Sequence, residues 1–173
     1  MKLLQKVDRR LTSLIAVAAL IAVAGNVLVS CNSSKNHWPA LVLPALATAD
    51  ATVNTRTFAS EPAVINFWAS WCVACREDHP LLEELSADLQ VFGVNHLDNR
   101  DDALRWLAYF GDPYVSSVYD AKGRIGEVLD VEALPVSLVI DAAGVIHYRH
   151  LGPLDSVTVE KIILPLIEEL RRK

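Results

Sequence analysis

Metal-ligating side chains are scarce in this chain. It has three cysteines in 173 residues, Cys31, Cys72 and Cys75, and only the last two form a Cys-x-x-Cys pair. A structural zinc site of that type needs a second pair of Cys or His, and none stands at a suitable spacing. His147 and His150 do not supply it, because residues three apart on a strand point to opposite faces. The shortage argues against zinc and leaves the pair with redox chemistry. Positive charge is also scarce. Residues 1–30 hold four of the 16 Lys and Arg and one of the 21 Asp and Glu, so the rest carries 12 against 20, net −8. That balance argues against nucleic acid as a partner and is compatible with a basic polypeptide. No internal repeat or low-complexity tract is evident. The roughly 140 residues that follow the N-terminal segment suit one domain.

Charge of either sign is missing altogether from Leu11 to Val29, a mostly aliphatic run long enough to cross a bilayer. Lys2, Lys6, Arg9 and Arg10 precede it, against Asp8 alone. The positive-inside rule keeps this end in the cytoplasm and sends the rest of the chain out. Residues 1–30 are therefore read as a membrane anchor or signal sequence. A cleaved secretory signal is the competing reading, although its apolar core usually runs to only about 7–15 residues. A third reading takes Leu28-Val29-Ser30-Cys31 as similar to the lipobox of bacterial lipoproteins, with Cys31 acylated. In all three the body of the protein is extracytoplasmic. There the surroundings oxidise thiols, and a working reductant needs its own electron supply.

Trp71-Cys72-Val73-Ala74-Cys75 is the segment that carries the chemistry. Ala63–Trp68 before it is a short apolar run of the kind that makes a buried strand. After it, Leu81, Leu82, Leu85 and Leu89 form one apolar stripe on a helix over 72–89. Cys72 then sits where a strand ends and a helix begins. Unpaired N–H groups and the helix dipole there favour a thiolate, with a pKa below the free value of about 8.5. Cys75 lies on the same face within disulfide reach. Cys72 is the candidate attacking sulfur and Cys75 the resolving one.

Further along, the pattern predicts strand 90–95, helix 100–110, strands 115–119, 136–141 and 145–151, and helix 155–171. Such alternation argues for a mainly parallel sheet covered on both faces. Asp141-Ala142-Ala143-Gly144 joins two of the strands as an antiparallel hairpin. In the last helix, Val157, Ile162, Ile163, Leu166, Ile167 and Leu170 are expected on the buried side. Residues 31–51, with Pro39 and Pro44, read as a linker or extended approach to a domain over 52–173.

This order of elements, with Cys-x-x-Cys at the first helix and Leu134-Pro135 before the hairpin, resembles the thioredoxin fold, an α/β fold with a central mixed sheet flanked by helices. Asn66–Pro80 resembles the active-site segment of the DsbE/CcmG thiol:disulfide interchange proteins. So do Gly93–Asp98, Trp106-Leu107, Gly111–Tyr114 and Tyr148–Leu154. The resemblance covers nearly all of 38–173 and includes the N-terminal anchor. It implies a single-pass inner-membrane protein whose catalytic domain faces the periplasm and whose redox-active disulfide needs no further cofactor. It implies a reductase of the haem-binding Cys-x-x-Cys-His disulfide of apocytochrome c, or of other periplasmic thiol proteins. The electron donor it implies is a membrane thiol transporter of the CcdA/DsbD type. Two alternatives stay open: a disulfide oxidase or isomerase on the same fold, and a non-catalytic module that holds apocytochrome or haem.

The resemblance also assigns expectations to single residues. Pro135 resembles the cis-proline that faces the active-site disulfide, with Leu134 offering its backbone to an extended substrate. Asn66 replaces the buried Asp of thioredoxin and cannot move a proton. Asp78 sits where relatives carry an acid, and is the candidate for tuning or proton transfer. Trp71 is expected on the active-site rim and Trp68 in the core, while His79, His96 and Asp98 are expected in solvated surface positions. Two departures stand out. Val73 stands where the family commonly has Pro, and Ala133-Leu134-Pro135-Val136-Ser137 lacks the acid that usually follows the proline, with Glu132 the nearby candidate carboxylate. Lacking a cation between the cysteines, the pair is expected to favour its disulfide and act as a reductant.

Overall fold

The computed structural model describes residues 35–173. The anchor or signal segment and Cys31 lie outside the described residues. Among the described residues no helix is long and apolar enough to cross a membrane.

The backbone of the fold is a five-stranded sheet in the order β5-β4-β3-β6-β7. Its members are β3 (Ala63–Trp68), β4 (Gln90–His96), β5 (Ser116–Asp120), β6 (Val136–Ile140) and β7 (Ile146–Leu151). The first three run parallel, and β6 and β7 run antiparallel to their neighbours. All six residues of β3 are buried, which explains why only Asn66 interrupts its apolar run, since a strand covered on both faces has no polar side. Val64 and Trp68 face one core, with Leu82, Leu85, Trp106, Ile163 and Ile167. Ala63, Ile65 and Phe67 face the other, with Trp38, Leu43, Phe58, Ile125 and Leu129.

Helix α1 spans Cys75–Ser86, so it starts three residues later than the expected 72. The lead-in is a tighter turn. The amides of Cys72, Cys75, Arg76 and Glu77 each bond to the carbonyl three residues back, not four. Leu82, Leu85 and Leu89 are buried as the stripe requires, but Leu81 is half-buried. Helix α2 spans Arg100–Phe110 and is capped by the Asn99 side chain, which accepts from the amides of Asp101 and Asp102.

The C-terminal helix departs from expectation. It runs as α4 (Ser156–Thr158), a π-helical turn (Val159–Ile163) and α5 (Leu164–Arg171), the short helix Arg124–Val128 being α3. Pro165 has no N–H for the carbonyl of Lys161, and the wider turn before it relieves the clash. Ile163, Ile167 and Leu170 are buried as expected, together with Val159, while Leu166 is half-buried and Val157 and Ile162 face solvent.

Three elements had no counterpart in the sequence pattern. β1 (Val42–Pro44) pairs with β2 (Thr52–Asn54), and a 3-10 turn follows at Thr55–Ala59. The described part of the segment read as a linker is thus built into the fold, with Trp38, Leu43 and Leu46 all buried. The third is the Arg124–Val128 helix, held by the buried Asp120, whose carboxylate accepts from the amides of Arg124 and Ile125 at 2.7 and 3.0 Å. Asp120 also lies 3.4 Å from His96 Nδ1, and these donors hold its carboxyl below the usual range despite its burial. Gly126 lets that helix pass against the His96 ring, because a Cβ there would lie 2.2 Å from the ring carbon. Gly126→Ala is expected to destabilise the protein by about 1–3 kcal/mol through overpacking, measured by urea denaturation. An unchanged midpoint would show that the ring moves freely.

Candidate active site

Strand register decides which loops meet. Phe67 pairs with Val136 and Trp68 with Asn95. The chain leaving β3, the chain leaving β4 and the chain entering β6 therefore share one end of the sheet. Residues 69–74, 97–99 and 130–135 are brought together there.

Cys72 and Cys75 form a disulfide in the turn that leads into α1, with their Cα atoms 5.4 Å apart. Both cysteines are buried, and the Cys75 amide donates to Cys72 Sγ at 3.1 Å. In the reduced protein that N–H, at the positive end of α1, favours a Cys72 thiolate. Val73 and Ala74 between them add no charge. Trp71, Val73 and Leu97, on the loops at this end of the sheet, are 58%, 70% and 54% exposed and form an apolar collar beside the buried disulfide. Trp71 is pinned by its indole N–H, which donates to the Leu97 carbonyl at 3.0 Å, and Leu97 itself has φ +49°.

The Leu134–Pro135 peptide bond is cis, and Pro135 directly precedes Val136, the β6 partner of Phe67. Leu134 is half-buried, and the Pro135 carbonyl accepts from the Gly152 amide at 3.0 Å. Glu132 is exposed and makes no hydrogen bond or ion pair among the described residues.

Asp78 lies one turn after Cys75 on α1 and has no exposed surface. Neither carboxyl oxygen has a hydrogen-bond partner among the described residues. Burial pushes its pKa up to about 7, against the pull of the Leu154 N–H, which lies near without closing a hydrogen bond. Such a group is neutral or charged in nearly equal measure at neutral pH, which is what proton exchange with a thiol requires. Asn66 is also buried but serves as a strut: its Nδ2 donates to Ser137 Oγ at 3.1 Å and its Oδ1 accepts from the Tyr114 hydroxyl at 2.9 Å.

The three residues expected in solvated positions are not solvated. His79 is buried edge-on against Trp106, centroids 4.6 Å apart, and burial lowers its pKa. His96 is buried against Phe67 and Asp120. Asp98 is half-buried and accepts from the Ser70 amide and hydroxyl, Asn95 Nδ2 and the Asn99 amide, all at 2.7–2.8 Å. It ties the active-site turn to the end of β4. Nothing in the spacing of Ser70 and Asp98, 28 residues apart, foretold this clamp; its one local signal was an acid ahead of the Asn99 cap.

Comparison with known proteins agrees with this geometry. The redoxin family matches residues 33–163. The chain is 37% identical over 133 residues to the thiol:disulfide interchange protein DsbE of Vibrio cholerae, covering 76% of this chain and 72% of that protein. It is 40% identical over 114 residues to DsbE of Escherichia coli K12, covering 65% of this chain and 62% of that protein. The crystal structure of a putative DsbE from Chlorobium tepidum superposes with a TM-score of 0.67 at 25% identity, covering 78% of this chain and 96% of that one.

The raised Asp78 carboxyl makes a signed prediction. Its folded pKa exceeds the ordinary 3.8, so the stability it lends is present below pH 4 and is lost as pH rises through about 7. Oxidised wild type should lose roughly 4 kcal/mol relative to Asp78→Asn between pH 4 and pH 8, read by urea denaturation at each pH. Parallel stability curves for the two proteins would show an unperturbed carboxyl.

Proposed function

Because this chain belongs to the DsbE family of thiol:disulfide interchange proteins, within the redoxins, and is a thiol-disulfide oxidoreductase, we propose that it works as an extracytoplasmic reductase of apocytochrome c disulfides. The observation that carries this reading is the Cys72–Cys75 disulfide, with only the aliphatic Val73 and Ala74 between its cysteines and the buried acid Asp78 behind it. A strongly oxidising pair needs extra stabilisation of its reduced thiolate, and no cationic side chain of this loop provides it.

In the reduced protein the Cys72 thiolate attacks one sulfur of the substrate disulfide. The other substrate sulfur leaves as a thiolate and takes a proton from solvent. The substrate backbone lies along Leu134 and cis-Pro135, and its apolar side chains rest on the collar of Trp71, Val73 and Leu97. Asp78 then takes the proton of Cys75, whose thiolate attacks Cys72 Sγ. The Cys72–Cys75 disulfide forms, the second substrate sulfur leaves as a thiolate and is protonated from solvent, Asp78 returns its proton to solvent, and the substrate is released as a dithiol having gained two electrons. The disulfide is the only redox group in this scheme, and no further cofactor enters it. A membrane thiol transporter of the CcdA/DsbD type restores the dithiol, and residues 11–29 keep the domain at the inner membrane, facing the periplasm. Glu132, exposed on the approach to Pro135, meets the basic or polar flank of the substrate.

The reduction potential tests the direction of the reaction. A value near or below roughly −270 mV in thiol redox buffers is expected of a reductant, whereas one near roughly −120 mV would assign an oxidase. Cys75→Ser should accumulate a mixed disulfide with a synthetic Cys-x-x-Cys-His peptide, seen on non-reducing gels. Cytochrome c maturation that survives in cells carrying the Cys72→Ala, Cys75→Ala protein would instead mark a binding module.

A further inference from the structure

Asp78 stays dry only if something covers it. Its own helix brings Cys75 and the charge of Glu77, the loop before β5 brings Tyr114, and the segment after β7 brings Leu154. The last of these is the cover least anchored by regular structure. Residues 152–155 belong to no helix or strand, Gly152 has φ +90°, and a Cβ at Gly152 would meet nothing within 4 Å. The Gly152 amide is tied to the Pro135 carbonyl at 3.0 Å, so a swing away from the carboxyl would have to come from Pro153 and Leu154.

Side-chain contacts of His150 oppose that motion. His150 Nε2 lies 3.0 Å from the Pro153 carbonyl oxygen, and Nδ1 lies 3.3 Å from the Tyr148 hydroxyl. A carbonyl only accepts, so Nε2 carries the proton and donates to Pro153, while Nδ1 accepts from Tyr148. The network assigns the tautomer. Pro153 has no N–H of its own, so its carbonyl is the one backbone group through which this residue can be held. Next to it, Leu154 is buried in the same core cluster as Cys75.

We infer that His150 is a positioning residue for the resolving step: its ring ties the Tyr148 hydroxyl to the Pro153 carbonyl and so holds residues 152–154 closed over the Asp78 carboxyl. The inference rests on the proposed role of Asp78 as acceptor of the Cys75 proton. His150 touches neither sulfur nor substrate in this scheme. It acts by excluding water from the carboxyl, since a hydrated Asp78 would be ionised at neutral pH and a weaker base toward the Cys75 thiol.

The test is the titration of Asp78 by 13C NMR in the oxidised full-length protein carrying 13Cγ-labelled aspartate, the signal being assigned by its loss in Asp78→Asn. His150→Leu removes both hydrogen bonds. Its Asp78 midpoint should fall by about 1 unit or more. His150→Gln, whose amide can still donate to Pro153, should keep the wild-type midpoint. Tyr148→Phe leaves the imidazole in place and removes only the hydroxyl that orients it, and should move the midpoint in the same direction as Leu; it decides the matter if the Leu protein does not fold. An Asp78 midpoint unmoved in either variant overturns the inference. The underlying reading is checked separately by the pH dependence of exchange with glutathione. If Asp78→Asn leaves that profile unchanged, the proton-acceptor role falls, whatever the NMR midpoints show for the loop.

Discussion

The central strand β3 has no solvent-facing side. Its six residues are pressed between two cores and bonded to β4 on one edge and β6 on the other. Backbone polar groups so buried must be paired, and the sheet pairs them only as far as Trp68. The chain leaves the sheet there and turns through Cys72 into α1. The position of the reactive sulfurs thus follows from where the strand runs out of partners. The same edge brings in the two other loops of the site, since β4 leaves the sheet and β6 enters it at that end.

What holds this loop is a set of polar contacts made between segments far apart in the chain. Asp98 bonds to Ser70, Trp71 to Leu97, and Pro135 to Gly152. Each satisfies a backbone group that would otherwise face the apolar collar or the core. Within the collar Trp71 is held to Leu97, whereas the aliphatic side chains of Val73 and Leu97 present only apolar surface to solvent.

Electrostatically the site combines opposing pulls. The N-terminus of α1 and the Cys75 amide favour a charged sulfur at Cys72, whereas the deep placement of Cys75 and Asp78 disfavours charge on either. The separation assigns the two cysteines different duties. In the mechanism proposed above, Cys72 is the attacking sulfur and Cys75 the one that gives its proton to a nearby base. Asn66, at the place where a proton-transferring acid stands in thioredoxin, is occupied on both sides of its amide by Ser137 and Tyr114, which leaves Asp78 as the titrating group behind the disulfide.

Local chemistry was legible along the chain. The Cys-x-x-Cys pair, the strand before it, the 100–110 helix and the Asp141–Gly144 hairpin all depend on near neighbours, so spacing alone determined them. Pairings between distant segments were not legible. The β1–β2 hairpin has strands of three residues, too short for any periodicity, and the π-helical turn inside the last helix left no mark in its apolar spacing. His79, His96 and Asp98 read as surface residues because polar side chains usually are; only the packing of Trp106, Asp120 and Ser70 against them put them inside. The sequence by itself determined which sulfurs react and on what fold, because those depend on contacts within one strand-turn-helix unit. Tertiary structure alone decided which groups surround them and how dry the acid behind them is, because burial is set by partners that are tens of residues away.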